Sequence, residues 1–235
     1  MTDRERRRIG GEAGFTLVEV MVTLMIGMVV FFALFALIDA TARNSARTTT
    51  RVAADQRARP VLQRLVDELH STCLGPDAGP ILAGSSGSSL SFLHQTGSAV
   101  SPMPNRNTVT LSGTTLTESI YPATGGTAPD WTFSSTPSST RQLLTGVGPG
   151  IVEGSAVPLF RYFSYVDGQL SPTPLPTPLS VTNAELTVQV TVAFAASPTS
   201  NPVSDPRAAL TVSDSALVRF SPASEDPTKV NGPCV

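Results

Sequence analysis

Residues 14–38 read GFTLVEVMVTLMIGMVVFFALFALI, and this stretch decides how the rest of the chain is understood. From Val20 to Ile38 it holds no charge and no proline. As an α-helix such a run is about 28 Å long, close to the thickness of a bilayer's hydrocarbon core. Upstream lies MTDRERRRIGGEA, in which Arg4, Arg6, Arg7 and Arg8 cluster. Positive charge flanking an apolar span stays cytoplasmic, so the chain beyond Ile38 is expected to face outward. One acid, Glu19, stands at the head of the run. A carboxylate costs about 2.5–3.5 kcal/mol at a bilayer centre on insertion scales, and less near the interface.

Three arrangements compete. A secretory signal peptide would be cut beyond the run, where Ala40-Thr41-Ala42 offers a small-residue site. Such signals usually carry an apolar region of ~7–15 residues, shorter than this one. A plain single-pass anchor is the second arrangement. The third rests on the junction GFTLVE, Gly14 to Glu19. A short basic leader ending in glycine, then Phe, Thr, Leu, Val, Glu and a long apolar helix, resembles the processing signal of type IV prepilins over residues 1–40.

That resemblance carries specific implications. A prepilin peptidase cuts between Gly14 and Phe15, Phe15 is N-methylated, and its cationic amine pairs with Glu19 of its own or a neighbouring subunit. Gly14 is then a substrate position, where the missing side chain lets a peptidase approach the backbone. An acid in the first helical turn also suits the positive end of the helix dipole. The implied partners are the peptidase, other pilin subunits, the membrane and, indirectly, an assembly ATPase and a polytopic platform protein. The implied location is the cell membrane, with a cytoplasmic leader and an extracytoplasmic head, followed by an extracellular or periplasmic filament. Gly27 interrupts the run, as glycine does where membrane helices pack closely. Many major pilins carry a proline in this region, whereas this sequence has none before Pro60.

The helix is expected to continue. Ala54, Ala58, Val61, Leu62, Leu65, Val66, Leu69 and Cys73 fall at three- and four-residue spacings and predict one buried stripe. Pro60 predicts a kink or a split, and Gly75-Pro76 a stop. Beyond it the chain turns to Ser, Thr, Pro and Gly, and 20 prolines with 18 glycines argue for short strands and many turns. Expected strands are Leu90–Leu93, Thr108–Leu111, Thr114–Ile120, Val157–Val166, Leu186–Phe194 and one within Leu210–Phe220. Ser112-Gly113 and Asp167-Gly168 read as tight turns, and Gly146 to Gly150 as a turn. Pro172–Pro178 and Ser197–Arg207 read as loops. Phe160, Tyr162 and Gly168 add a looser resemblance to large minor pilins and type II secretion minor pseudopilins. The expected fold is α+β: a long N-terminal helix packed on an antiparallel β-rich head. Its division is a leader at 1–14, a transmembrane half at 15–38, an amphipathic half at 39–75 and a head at 76–235.

Little in the sequence points to chemistry. Net charge is −2, which excludes a global field for nucleic acid, and the head is poor in arginine. Arg43, Arg47 and Arg51 recur on one helix face; a solvated face is the plainer reading, against lipid headgroups, neighbouring subunits or DNA. Asp67, His70 and Cys73 lie on one helical stretch, with too few ligands for a metal. No calcium loop is recognisable around Asp130, Asp167, Asp205 or Asp226, and no nucleophile elbow or phosphate loop is present. No cofactor is expected. Cys73 and Cys234 are either unrelated thiols or one bridge, which in the loop-entropy view adds about 3–5 kcal/mol. The function expected is that of a structural minor subunit of a type IV pilus or pseudopilus. The alternative is a tip-located pilin that binds a receptor or DNA.

Overall fold

The computed structural model describes residues 14–72, 79–95, 103–127, 130–200 and 209–218. It holds two compact units, residues 1–48 and 49–235. Helix α1, Leu17–His70, supplies the described secondary structure of the first unit and the opening element of the second.

From Val20 to Ile38, within the first unit, α1 is apolar on every side apart from Thr23. Its most apolar 18-residue window has a mean hydropathy of 2.8, and none of it is buried. A helix apolar all round needs an apolar environment, and its length and composition suit a bilayer. Thr23 and Thr41 interrupt the apolar surface without leaving polar groups unmet. The Thr23 hydroxyl donates to the carbonyls of Glu19 and Val20, both at 2.9 Å. That of Thr41 donates to Leu37 and Ile38 at 2.9 and 2.8 Å.

In the second unit the stripe expected on α1 is realised. Ala54, Ala58, Leu62, Leu65, Val66 and Leu69 are buried, and Val61 packs at the margin. Pro60 lies inside the helix, which is neither ended nor split there. The expected split does not occur, because tertiary burial on both sides, at Ala58 and Leu62, offsets the lost backbone bond. Cys73, Gly75 and Pro76 lie outside the described residues, as do the leader through Ala13, Asp205, Asp226, Phe220 and Cys234.

Two antiparallel sheets complete the unit. The first contains β1 (Ser89–His94), β2 (Asn105–Ser112), β3 (Thr115–Thr127), β4 (Asp130–Phe133) and β5 (Ser139–Thr145). They run in the order β1-β2-β3-β4, with β5 also on β3. The second contains β6 (Val147–Val152), β7 (Ser155–Val157), β8 (Phe160–Phe163), β11 (Gln189–Ala196) and β12 (Leu210–Leu217). Its order is β12-β11-β6-β7, with β8 also on β11. A small hairpin, β9 (Tyr165–Val166) and β10 (Gln169–Leu170), turns through Asp167 and Gly168 at φ 52° and 75°. Positive φ at both turn residues is what a twisted two-residue hairpin requires. Helix α2, Val181–Leu186, is capped by the Ser180 hydroxyl, which accepts from the Asn183 N–H at 3.1 Å.

One main core joins the layers. Leu62, Leu65 and Leu69 of α1 share it with Phe92, Val109 and Leu116 of the first sheet and Val190, Val192 and Phe194 of the second. A smaller cluster gathers Leu82, Trp131 and Phe133 around Leu93. Tyr162 is fully buried, and its hydroxyl donates to the carbonyls of Ser86 at 2.9 Å and Ser89 at 3.3 Å.

Several expectations need correction. Gly146 to Gly150 is not a turn: Gly146 alone turns, at φ 72°, and Val147–Val152 is β6. Gly150 serves close approach, since a Cβ there would lie 3.0 Å from the Ala193 carbonyl carbon. The stretch 157–166 is three short strands, because Pro158 has no N–H to donate and Ser164 separates β8 from β9. Leu186 ends α2 rather than starting a strand. The β2–β3 turn sits one residue later than expected, with Ser112 opposite Thr115. Strands β4 and β5 were not expected at all; apart from Trp131 and Phe133 in β4 and Leu143 and Leu144 in β5, their residues are polar or small.

Candidate processing and assembly site

The N-terminal end of α1 gathers the residues singled out in the sequence. Gly14, Phe15 and Thr16 precede the helix, and all three are exposed. Phe15 is 80% exposed. The helix begins at Leu17, with Glu19 in its first turn. The Glu19 N–H donates to the Thr16 hydroxyl at 3.2 Å, and the Val20 N–H to the Thr16 carbonyl at 3.1 Å. Phe15 and Glu19 stand four residues apart in sequence, Phe15 ahead of the helix and Glu19 in its first turn. Thr23, Leu24, Gly27, Met28 and Phe31 line one exposed face of the helix. Nothing lies within 4 Å of where a Gly27 Cβ would stand, so this face is open.

The remaining sequence candidates disperse. Arg43 pairs with Asp39 at 2.7 Å across one helical turn, an exposed pair of small worth. Asp67 and His70 are exposed on α1. His94 lies on β1, where its Nε2 meets the Ser71 hydroxyl at 3.0 Å. Among the described residues, no group of three His, Cys, Asp or Glu side chains could hold a metal ion. Asp130 opens β4, and Asp167 sits in the β9–β10 turn.

Sequence reasoning missed a buried charge cluster beneath α1 in the second unit. Glu118 on β3 is 2% exposed and faces the core side of the sheet. Arg141, its cross-strand partner on β5, pairs with it directly. Asn107 Nδ2 donates to Glu118 Oε1 at 3.2 Å, and Arg64 of α1 lies 3.6 Å from Oε2. Arg64 also pairs with Glu68 at 2.7 Å, and Arg141 approaches Glu68 at 4.0 Å. Glu68 Oε2 and Asn107 Oδ1 are buried without hydrogen-bond partners. Burial, and then the neighbouring Glu118 carboxylate, push the Glu68 carboxyl up to about 7. Burial likewise lowers the pKa of His94. The i,i+4 spacing of Arg64 and Glu68 was visible in the sequence; their meeting with Glu118 and Arg141 depends on strand register.

Arg57 adds a further tie that the sequence does not announce. Its guanidinium donates to the Ser197 carbonyl at 2.8 Å and the Thr145 carbonyl at 3.2 Å. It thereby joins α1 to the chain segments leaving β11 and β5.

Residues 10–35 match the family model described as the prokaryotic N-terminal methylation motif. The match spans Gly14, Phe15 and Glu19 together with the first part of the apolar helix. No curated protein sequence matches the chain. The motif, with one exposed apolar helix, fits a membrane-anchored single-pass protein and indicates a structural pilin rather than an enzyme. Over residues 10–35 the chain thus carries the methylation motif that defines type IV prepilin-like proteins, with an α+β, pilin-like build behind it.

Proposed function

We propose that this chain is a structural minor subunit of a type IV pilus or pseudopilus. Prepilin peptidase removes residues 1–14, Phe15 is N-methylated, and the subunit is incorporated into a filament with other pilins. Residues 15–38 hold the precursor in the membrane, and the β-rich head lies on the outer side. Glu19 receives the methylated amine of its own or a neighbouring subunit. An assembly ATPase and a platform protein act on it indirectly.

The observation that carries this reading is the junction itself. An exposed Gly14–Phe15 bond lies outside the helix, at the head of an apolar span whose first turn holds a lone carboxylate. Glu19 costs free energy in hydrocarbon unless a cation meets it, and a new N-terminal amine one turn away is that cation. The irregular head, with two five-stranded sheets and a separate small hairpin, supports a subunit that starts or caps a filament rather than its bulk.

Mass spectrometry of the mature N-terminus tests the proposal. The expected species begins at Phe15 and carries one added methyl group on its amine. A mature chain beginning at Arg43, or residues ahead of Phe15 in assembled material, refutes it.

A further inference from the structure

The first N–H groups of an α-helix have no partner within it, and a side chain just ahead of the helix can supply one. Thr16 occupies that place in α1. Its hydroxyl accepts from the N–H of Glu19, the third helical residue, at 3.2 Å. Its carbonyl accepts from Val20 at 3.1 Å, the first bond of the helical ladder. The sequence Thr16-Leu17-Val18-Glu19 has the T-x-x-E form of a capping box. Only the hydroxyl half of that box is formed. Among the described residues the Glu19 carboxylate accepts no hydrogen bond, so it stays available for another cation.

We infer that Thr16 is a positioning residue for leader removal: its hydroxyl fixes the start of α1 and keeps the Gly14–Phe15 peptide outside the helix. This rests on the processing site proposed above. Hydrolysis adds water across the Gly14 carbonyl carbon and the Phe15 nitrogen, the hydroxyl going to Gly14 and the proton to the departing amine. The carbonyl must be free to be polarised during that attack. With the Thr16 hydroxyl lost, the nearest upstream residue that tolerates the cap position is Gly14, since Phe15 between them offers no capping oxygen. A helix started there makes the Gly14 carbonyl accept from Val18 and draws the scissile bond into the first turn.

The test uses the full-length precursor in membranes with a prepilin peptidase, reading the initial rate of leader loss by mass. T16A and T16V are expected to slow cleavage, by a few-fold to about 30-fold from the worth of a cap. T16S and T16N, which restore a capping oxygen with different side chains, are expected to cleave within about twofold of wild type. Amide exchange at Glu19 in detergent micelles should rise in T16A and T16V and stay low in T16S and T16N. Wild-type rates for T16A and T16V overturn the inference. So does T16N cleaving as slowly as T16A, because the peptidase would then be reading threonine itself. An uncut wild-type precursor overturns the processing site and this role with it; a normally cut wild type beside an equally fast T16A overturns the role of Thr16 alone.

Discussion

Replacing Glu68 with glutamine should reverse part of the pH dependence of head stability. Glu68 is 13% exposed at its side chain, sits beside the buried Glu118 carboxylate and leaves Oε2 without a partner. Its proton is therefore held more tightly in the folded head than in the unfolded chain, at about 7 against an ordinary 4.5. The sign follows from linkage. The contribution is fully present below the unfolded value and is lost as pH rises through the folded one, so wild type weakens between roughly pH 5 and pH 7.5. The whole shift would be worth about 3 kcal/mol at 1.4 kcal/mol per unit. Partial solvent access reduces this to about 1–2 kcal/mol. Glutamine resembles the protonated acid and cannot ionise, so E68Q should lack the term. His94 titrates nearby with the opposite sign, because its lowered value costs stability as pH falls, and the difference between the two proteins removes it. Trp131 is the one tryptophan in the chain and sits partly buried on β4, so its fluorescence reports unfolding of the head. In urea or thermal titrations of the full protein in detergent, E68Q should gain about 1–2 kcal/mol on wild type between pH 5 and pH 7.5, a few degrees in Tm. Parallel curves, or a wild type that gains on E68Q as pH rises, would refute the reasoning.

Other perturbations test the remaining contacts. Leu65→Ala empties a position 1% exposed in the main core and should cost about 2–5 kcal/mol in the same Trp131 titration. Glu19→Gln should leave leader removal intact while lowering incorporation into filaments about 10- to 100-fold, the worth of a hydrogen bond to a charged group; sheared filaments assayed by immunoblot measure it. Peptide mapping of exported protein under non-reducing conditions should recover Cys73 joined to Cys234, and two free thiols there would show the bridge absent.

The legible parts of the chain were those with a strong period or a rigid requirement. The apolar run from Val20 to Ile38 and the stripe from Ala54 to Leu69 repeat often enough that only a helix accommodates them. The Gly14-Phe15 junction and Glu19 were readable as a resemblance, and they fall within residues 10–35, which match the methylation motif. Register was not legible. Nothing near Glu118 announces that Arg141 will lie directly across from it, or that Arg64 of α1 will reach the same carboxylate. Strand β6 was hidden because glycine and proline carry no alternation, although Gly150 is required where the strand crowds Ala193 of β11. Helix α2 was hidden by brevity: six residues give no periodic signal, and only the Ser180 cap marks its start.

Strand β11 is buried along nearly its whole length and takes partners on both edges, from β6, β8 and β12. Order of synthesis gives this arrangement a consequence. The central strand emerges after most of the head has already been made, and its outer neighbour is drawn from residues 210–217, later still. A chain stopped before that point has its membrane segment and its helix but exposes a long apolar strand with one open edge, a template for aggregation. Completion of the C-terminal strand is therefore what separates an assembly-ready subunit from one that proteases should clear.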